Sequence, residues 1–217
     1  MENLRDALSI VGCVMKRKGK ENMYTFLLLL IYLAFISLGL PDSLLGSAWP
    51  VMHKAFQVPL SYAGLVTMII SGGTICSSLM SERLTKKFGT QIVTVFSVML
   101  TAIALFGFST ASAFWMLCLW AIPYGLGAGA IDAALNNYVA LHYNSRHMSW
   151  LHCFWGLGTI ISPYVMSYAL TTSVWQNGYR MVSFIQIGIA LILFVTLPIW
   201  KVNKKKLRRK KRQKKRW

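Results

Sequence analysis

Six apolar stretches constrain this chain more than any other feature, since a helix needs about 20 apolar residues to cross a bilayer. Because the bilayer core offers no partners to backbone polar groups, we expect six membrane-spanning helices and an all-α membrane protein. Hydrophobic residues make up 55% of the chain, which also argues for a polytopic membrane protein. The stretches cover about residues 24–49, 61–80, 91–110, 113–140, 148–170 and 180–200.

The positive charges predict the orientation in the membrane. Of the 23 Lys and Arg residues, 12 lie between residues 201 and 216. Six spans put both termini on one side, and placing the termini in the cytoplasm leaves only Lys54 and Arg180 outside. We therefore predict a cytoplasmic segment at 1–23, a membrane region at 24–200 and a polybasic cytoplasmic tail at 201–217, in the plasma membrane.

An aspartate, Asp132, lies deep in the fourth stretch, after three alternating glycines. Two of them, Gly125 and Gly129, have the spacing of small residues that lets membrane helices approach closely. Asn136 follows Asp132 by four residues and so shares its helical face. An ionisable group at this depth is costly unless it faces protein or a wet cavity, which favours a binding role. The alternative is an aspartate that only holds helices together.

A second acid, Asp42, follows Pro41 within the first stretch. A proline in a membrane helix frees a backbone carbonyl, which neighbouring groups or cavity water must then satisfy. The apolar residues that continue to Val51 favour a broken span with an acid at the break, a plausible binding position. The alternative is a helix that ends at Leu40 and leaves Asp42 among the lipid headgroups.

The segment after the second stretch resembles a signature of the major facilitator superfamily, G-x-L-x-D-R-x-x-[KR]-[KR]-x-G. Here it reads Ser78-Leu-Met-Ser-Glu82-Arg83-Leu-Thr-Lys86-Lys87-Phe-Gly89, so Ser replaces the usual Gly and Glu the usual Asp. The resemblance covers about residues 22–200 and is strongest to the fucose-permease-like sugar–proton symporters. It implies half of a twelve-helix fold, built as a 3+3 inverted repeat, in which this loop acts as a conformational latch.

In that family, membrane carboxylates in the first and fourth helices carry proton coupling and contact the sugar. Asp42 and Asp132 stand at the matching positions, with Asp132 replacing a Glu. The first and fourth spans also correspond to each other in an inverted repeat. This symmetry places the two acids at equivalent positions independently of the family resemblance. The expected mechanism is protonation of one carboxylate coupled to binding of a small polar solute. Three further side chains are candidate contacts of the solute: Asn136, His152 and Trp155. The alternative for His152 is a hydrogen-bond partner between helices.

Transporters of this superfamily contain two six-helix halves with the site between them. The chain has one set of spans followed by the basic tail, which leaves three interpretations: a truncated or frameshifted fragment, a homodimer or a partner of a separate second half, or a protein whose tail binds anionic lipid. Of these three interpretations, we favour the truncated or frameshifted fragment.

Other classes fit less well. A membrane aspartyl protease would need Tyr-Asp and Gly-x-Gly-Asp, and a voltage-gated channel would need an arginine-studded span. The tail lacks the interleaved aromatics of a nucleic-acid-binding module. We predict no enzymatic activity, no cofactor or metal and no nucleic-acid partner. The main alternative is a non-transporting membrane protein whose polybasic tail binds anionic lipid or a partner protein.

Overall fold

The first membrane span is a helix broken in its second half. The computed structural model describes residues 25–197, in which helix α1 (residues 25–42) is followed by a turn at Ser43 and by α2 (Leu44–Ala55). Pro41 has no N–H for the carbonyl of Ser37, one turn earlier. The side chain of Gln186 donates Nε2–H to that carbonyl at 2.6 Å. The prediction that a neighbouring group satisfies the freed carbonyl is therefore confirmed.

Five more spans follow, joined by short connections, and the described residues contain no β-strand. The predicted all-α fold with six membrane helices is thus confirmed. The alternative of a helix that ends at Leu40 is wrong, because the first span continues past the break at Ser43 to Ala55. The later elements are a 3-10 turn (Leu60–Tyr62), α3 (Ala63–Phe88), α4 (Thr90–Ser109), α5 (Phe114–His142), α6 (Ser145–Thr172) and α7 (Trp175–Val195).

Helix α5 is the centre of the packing. Residues 32–197 form one compact unit, and residues 25–31, which belong to a second unit, are helical. Within residues 32–197, α5 packs against α3 and α4, α4 also packs against α7, and α6 packs against α7 and α2. Large side chains such as Leu44, Leu105 and Leu117 are fully buried where these helices meet.

The alternating glycines of α5 serve two neighbours. A Cβ on Gly125 or Gly129 would collide with the backbone carbonyl of Ile70 or Thr74 in α3. A Cβ on Gly127 would instead collide with α4. The prediction of close helix packing at Gly125 and Gly129 is confirmed, and the third glycine extends it to a second helix.

Hydroxyl groups of α3 reinforce this crossing. Thr74 donates to the carbonyl of Gly125 at 3.3 Å, and Ser78 donates to that of Gly129 at 3.2 Å. One turn on, Ser81 donates to the carbonyl of Ala130 at 3.3 Å. The side chain that replaces the family's usual glycine, Ser78, therefore joins α3 to α5.

The basic segment predicted as a loop is helical. Helix α3 continues through Glu82, Arg83, Lys86 and Lys87 and ends at Phe88. No residue from Ser81 to Phe88 breaks a helix, and an ion pair of 2.6 Å joins Glu82 to Lys86 one turn later. Gly89 stops the helix with a φ of 93°, a conformation that glycine adopts readily. The prediction of a nine-residue connection was wrong, because hydropathy marks the apolar part of a helix and not its end.

Two other boundaries differ for the same reason. Arg146 and His147, predicted in a loop, lie in the first turn of α6, and Arg180 lies in α7, which begins at Trp175. The predicted segments 1–23 and 201–217, and the predicted end of the sixth span at Trp200, lie outside the described residues.

Candidate functional site

Asp42 lies at the break between α1 and α2, and two other helices bind its carboxylate. The hydroxyl of Tyr124, in α5, donates to Oδ1 at 2.9 Å. The indole Nε1–H of Trp155, in α6, donates to Oδ2 at 2.8 Å. Because both oxygens accept a bond, the side chain is held in one orientation between three helices.

Close backbone contact between α1 and α6 positions the indole. A Cβ on Gly39 would collide with the carbonyl oxygen of Trp155. A Cβ on Gly158 would collide with the carbonyl oxygen of Ile36. The two glycines let the helices meet at backbone distance, and this brings Trp155 within reach of Asp42.

A cavity of about 310 Å³ opens beside this carboxylate. Trp155 is 40% exposed and so is reachable from the cavity, whereas Tyr124 and Tyr179 are buried in its wall. The Phe108 ring lies between the two tyrosines, with centroid distances of 6.2 Å to Tyr124 and 5.5 Å to Tyr179. An anionic group surrounded by aromatic faces suits a ligand that has both hydroxyls and apolar surface.

The surroundings of Asp132 are simpler. Asn136 donates Nδ2–H to Oδ1 of Asp132 at 3.0 Å, as the four-residue spacing on one helical face predicts. His152, in α6, is close enough to interact electrostatically with this carboxylate, and its ring meets Phe35 edge-on with centroids 6.2 Å apart. Among the described residues, the buried Oδ1 of Asn136 has no hydrogen-bond donor. A buried acceptor of this kind is costly, so it marks a place where a ligand or water binds.

The five predicted binding residues thus form two groups. Asp42 and Trp155 share a hydrogen bond, while Asp132, Asn136 and His152 lie together at a second position. Tyr124, a ligand of Asp42, precedes Asp132 in α5 by eight residues. The backbone positions of Tyr124 and Asp132 are therefore about 12 Å apart along that helix.

The predicted latch residues do not line this cavity. Glu82, Arg83, Lys86, Lys87 and Gly89 lie at the end of α3, whereas the cavity is lined by α3 residues Thr67 and Ile70. The side chains of the four charged residues are exposed at this helix end, whereas Gly89 is buried.

The sequence reasoning missed Tyr124, Phe108 and Tyr179. Tyr124 had only a weak signal, because it lies eight residues before Asp132 and thus about 80° from it around the helix. The other two are aromatic residues in apolar helices, where hydropathy does not separate a cavity wall from a lipid-facing surface.

Similarity to known proteins extends over most of the chain. The family model described as Major Facilitator Superfamily matches residues 10–217. The chain is 23% identical over 163 residues to Bypass of stop codon protein 6 of Saccharomyces cerevisiae, covering 74% of this chain and 33% of that protein. It is 22% identical over 152 residues to Glucose/mannose transporter GlcP of Bacillus subtilis, covering 68% of this chain and 37% of that protein. The chain spans about a third of the length of these curated relatives.

Proposed function

The chain belongs to the major facilitator superfamily, a family of membrane transporters, and we propose that it carries a small polar solute across the membrane. Its six helices correspond to half of the twelve-helix fold, and it is a multi-pass membrane protein. The observation that carries the proposal is the binding of Asp42 by Tyr124 and Trp155 beside a cavity of about 310 Å³. That volume is at the lower end of the range for small-molecule sites.

The proposed solute is sugar-like. Sugars have hydroxyl groups that suit a carboxylate and C–H faces that stack on aromatic rings such as that of Trp155. Asp42 would accept hydrogen bonds from the hydroxyls. The similarity to a protein named Glucose/mannose transporter supports this class, as does the resemblance to fucose-permease-like symporters.

Proton coupling is proposed to occur at Asp132. The hydrogen bond that the described residues give to its carboxylate comes from Asn136 in the same helix. A proton can bind and leave there without breaking a contact between helices. His152, within electrostatic range in α6, would respond to the change in charge. Solute binding at Asp42 and proton binding at Asp132 would then be coupled through α5, which holds Tyr124 and Asp132.

The other wall of the transport path would come from a second six-helix set, because the site of this family lies between two such sets. We propose that a second set faces it, whether in a second copy of the chain, in a separate polypeptide or in a longer form of the same chain. The latch residues Glu82 and Lys86 would contact that second set, since their charged side chains are exposed near the end of α3.

The proposal is tested by reconstituting the full chain in liposomes and measuring uptake of labelled glucose, mannose, fucose and, as a non-sugar comparison, alanine. We expect accumulation of one or more sugars when the lumen is more alkaline than the outside, and none of alanine. Asp42→Asn should abolish the uptake, while Lys54→Gln, which changes a charged residue outside both the cavity and the latch, should retain it. If the protein neither binds nor takes up any of these sugars, the proposed solute class is wrong.

The same liposomes separate transport from the alternative role of the basic tail. Removal of residues 201–217 should leave sugar uptake within a few-fold of the full chain. Loss of all measurable activity on tail removal, with full activity in Asp132→Asn, would instead support a membrane protein that acts through lipid or partner binding.

A further inference from the structure

A second and larger cavity, of about 420 Å³, lies near the C-terminal end of α3. It is separate from the cavity at Asp42 and shares none of its lining residues. Ser77 and Ser97 are its only polar lining residues, and the Ser77 hydroxyl donates to the carbonyl of Thr74 in its own helix at 3.2 Å. The remaining wall is apolar, with Leu126 and Ala130 of α5 as its floor.

We propose that this groove binds one acyl chain of an anionic phospholipid, with the phosphate of the headgroup held by Lys87 and Arg83. The assignment is independent of the solute that the protein transports, because none of these residues lines the cavity at Asp42.

The length of the groove fits one leaflet. Its α3 wall extends from Ser77 to Phe88, which corresponds to about 16 Å along the helix. The hydrocarbon core of a bilayer is about 30 Å thick, so each leaflet contributes about half of that. The groove is open along its side, where Met80 and Phe96 are 55% and 71% exposed. An acyl chain can therefore enter laterally from the bilayer and extend to the midplane.

Positive charge lies at one end of the groove. The Lys87 Nζ is 5.3 Å from the centroid of the Phe88 ring, and that ring lines the groove. Glu82 is paired with Lys86, and within residues 25–197 neither Arg83 nor Lys87 has a carboxylate partner. Two unpaired cations thus remain, Lys87 beside Phe88 at the end of the groove and Arg83 one helical turn before it.

Helix α4 adds to this field. It begins at Thr90, and two of its first residues, Ile92 and Val93, line the groove. The amino-terminal end of a helix favours a negative group, so its contribution has the same sign as that of Lys87 and Arg83. An uncharged headgroup would gain less at this end than phosphatidylglycerol would.

The chain offers a matched pair of positions for a test. Met80 and Leu79 are adjacent in α3 and both are exposed, but only Met80 lines the groove. Met80→Trp would fill the groove, whereas Leu79→Trp adds the same side chain outside it. For the charge, Lys87→Gln is compared with Lys54→Gln, since Lys54 lies in the last turn of α2.

The experiment uses the purified full chain in neutral detergent, titrated with dioleoyl phosphatidylglycerol or dioleoyl phosphatidylcholine, with lipid retention measured by native mass spectrometry. We expect one phosphatidylglycerol to be retained preferentially. Met80→Trp should weaken its binding by at least about fivefold. Lys87→Gln should weaken it by about fivefold, the effect of one basic residue near an anionic surface. Both control variants should bind like the unmodified chain.

Equal retention of the two lipids by the unmodified chain would overturn the charge assignment. Equal binding by Met80→Trp and Leu79→Trp would overturn the groove. Circular dichroism and gel filtration of each variant establish that it is helical and monodisperse. If Met80→Trp does not fold, the comparison of Lys87→Gln with Lys54→Gln, together with the lipid preference of the unmodified chain, still decides the proposal.

Discussion

Asp42 and Asp132 are both carboxylates in membrane helices, but their hydrogen bonds differ. Asp42 lies at a break in its helix and accepts one bond from α5 and one from α6. Asp132 lies in the uninterrupted α5, and the described residues give it one bond, from Asn136 one turn later in α5. The first carboxylate therefore joins three helices, whereas the second moves with one.

This difference suggests a division of roles. Any movement of α6 against α5 must stretch a bond to Asp42, so the state of this carboxylate is tied to the conformation of the bundle. Asp132 can exchange a proton while its own helix stays intact. The resulting change of charge alters the electrostatic interaction of this carboxylate with His152. In the proposed mechanism, Asp42 binds the solute and Asp132 carries the proton.

Replacing the carboxylate that joins the helices should have the largest effect. Asp42→Ala leaves the Tyr124 hydroxyl and the Trp155 indole without their acceptor. We expect solute affinity to fall about 100-fold, since losing a charged hydrogen-bonding group costs up to about 3 kcal/mol. Equilibrium binding of the solute measures this, with Lys54→Gln as the control outside the cavity and the latch. A fall of less than threefold would show that Asp42 does not contact the solute.

The break in the first span should depend on Gln186. Its amide donates to the Ser37 carbonyl that Pro41 leaves free, and it also accepts a bond from Thr101 at 3.1 Å. Gln186→Leu should lower the free energy of unfolding in mixed micelles by about 2 kcal/mol.

Restoring the missing N–H provides the control for this prediction. In a Pro41→Ala background, the backbone can bond to Ser37 itself, so Gln186→Leu should cost clearly less than in the unmodified chain. An identical cost in both backgrounds would mean that Gln186 stabilises the bundle by a route other than the Ser37 carbonyl.

A smaller effect is expected for a single bond to Asp42. Tyr124→Phe removes one hydroxyl and keeps the ring that packs against Phe108. Losing one such bond should reduce solute affinity by about tenfold. Tyr179→Phe is the matched control, because Tyr179 lines the same cavity but donates no bond to Asp42. Similar losses in both variants would show that a general change in the cavity, and not the bond to Asp42, determines affinity.

Local sequence patterns predicted the helices and the hydrogen-bond partner of one of the two acids, Asp132. Gly125 and Gly129 meet α3 because small-residue spacing encodes a contact surface, and Asn136 meets Asp132 because four residues make about one helical turn. The partners of Asp42 lie 82 and 113 residues away, in helices whose rotation no local pattern sets. Trp155 was identified as a candidate aromatic face, but its bond to Asp42 depends on the close contact at Gly39 and Gly158.

Helix ends were the least predictable feature. A count of apolar residues ends a span where charge begins, yet α3 continues past Arg83 to Phe88. Long charged side chains at a helix end can reach the headgroup region, so the charge does not require the helix to stop. Gly89, with its positive φ, is the local signal that marks the true end.

The most direct test is the current produced when sugar is added to liposomes that contain the protein on a solid-supported membrane. We expect a transient, proton-dependent current from the unmodified chain and none from Asp132→Asn, although Asp132→Asn should still bind the sugar. Asp42→Asn should lose both the current and the binding. A sugar-induced proton current that persists in Asp132→Asn would contradict the assignment of the proton to this carboxylate.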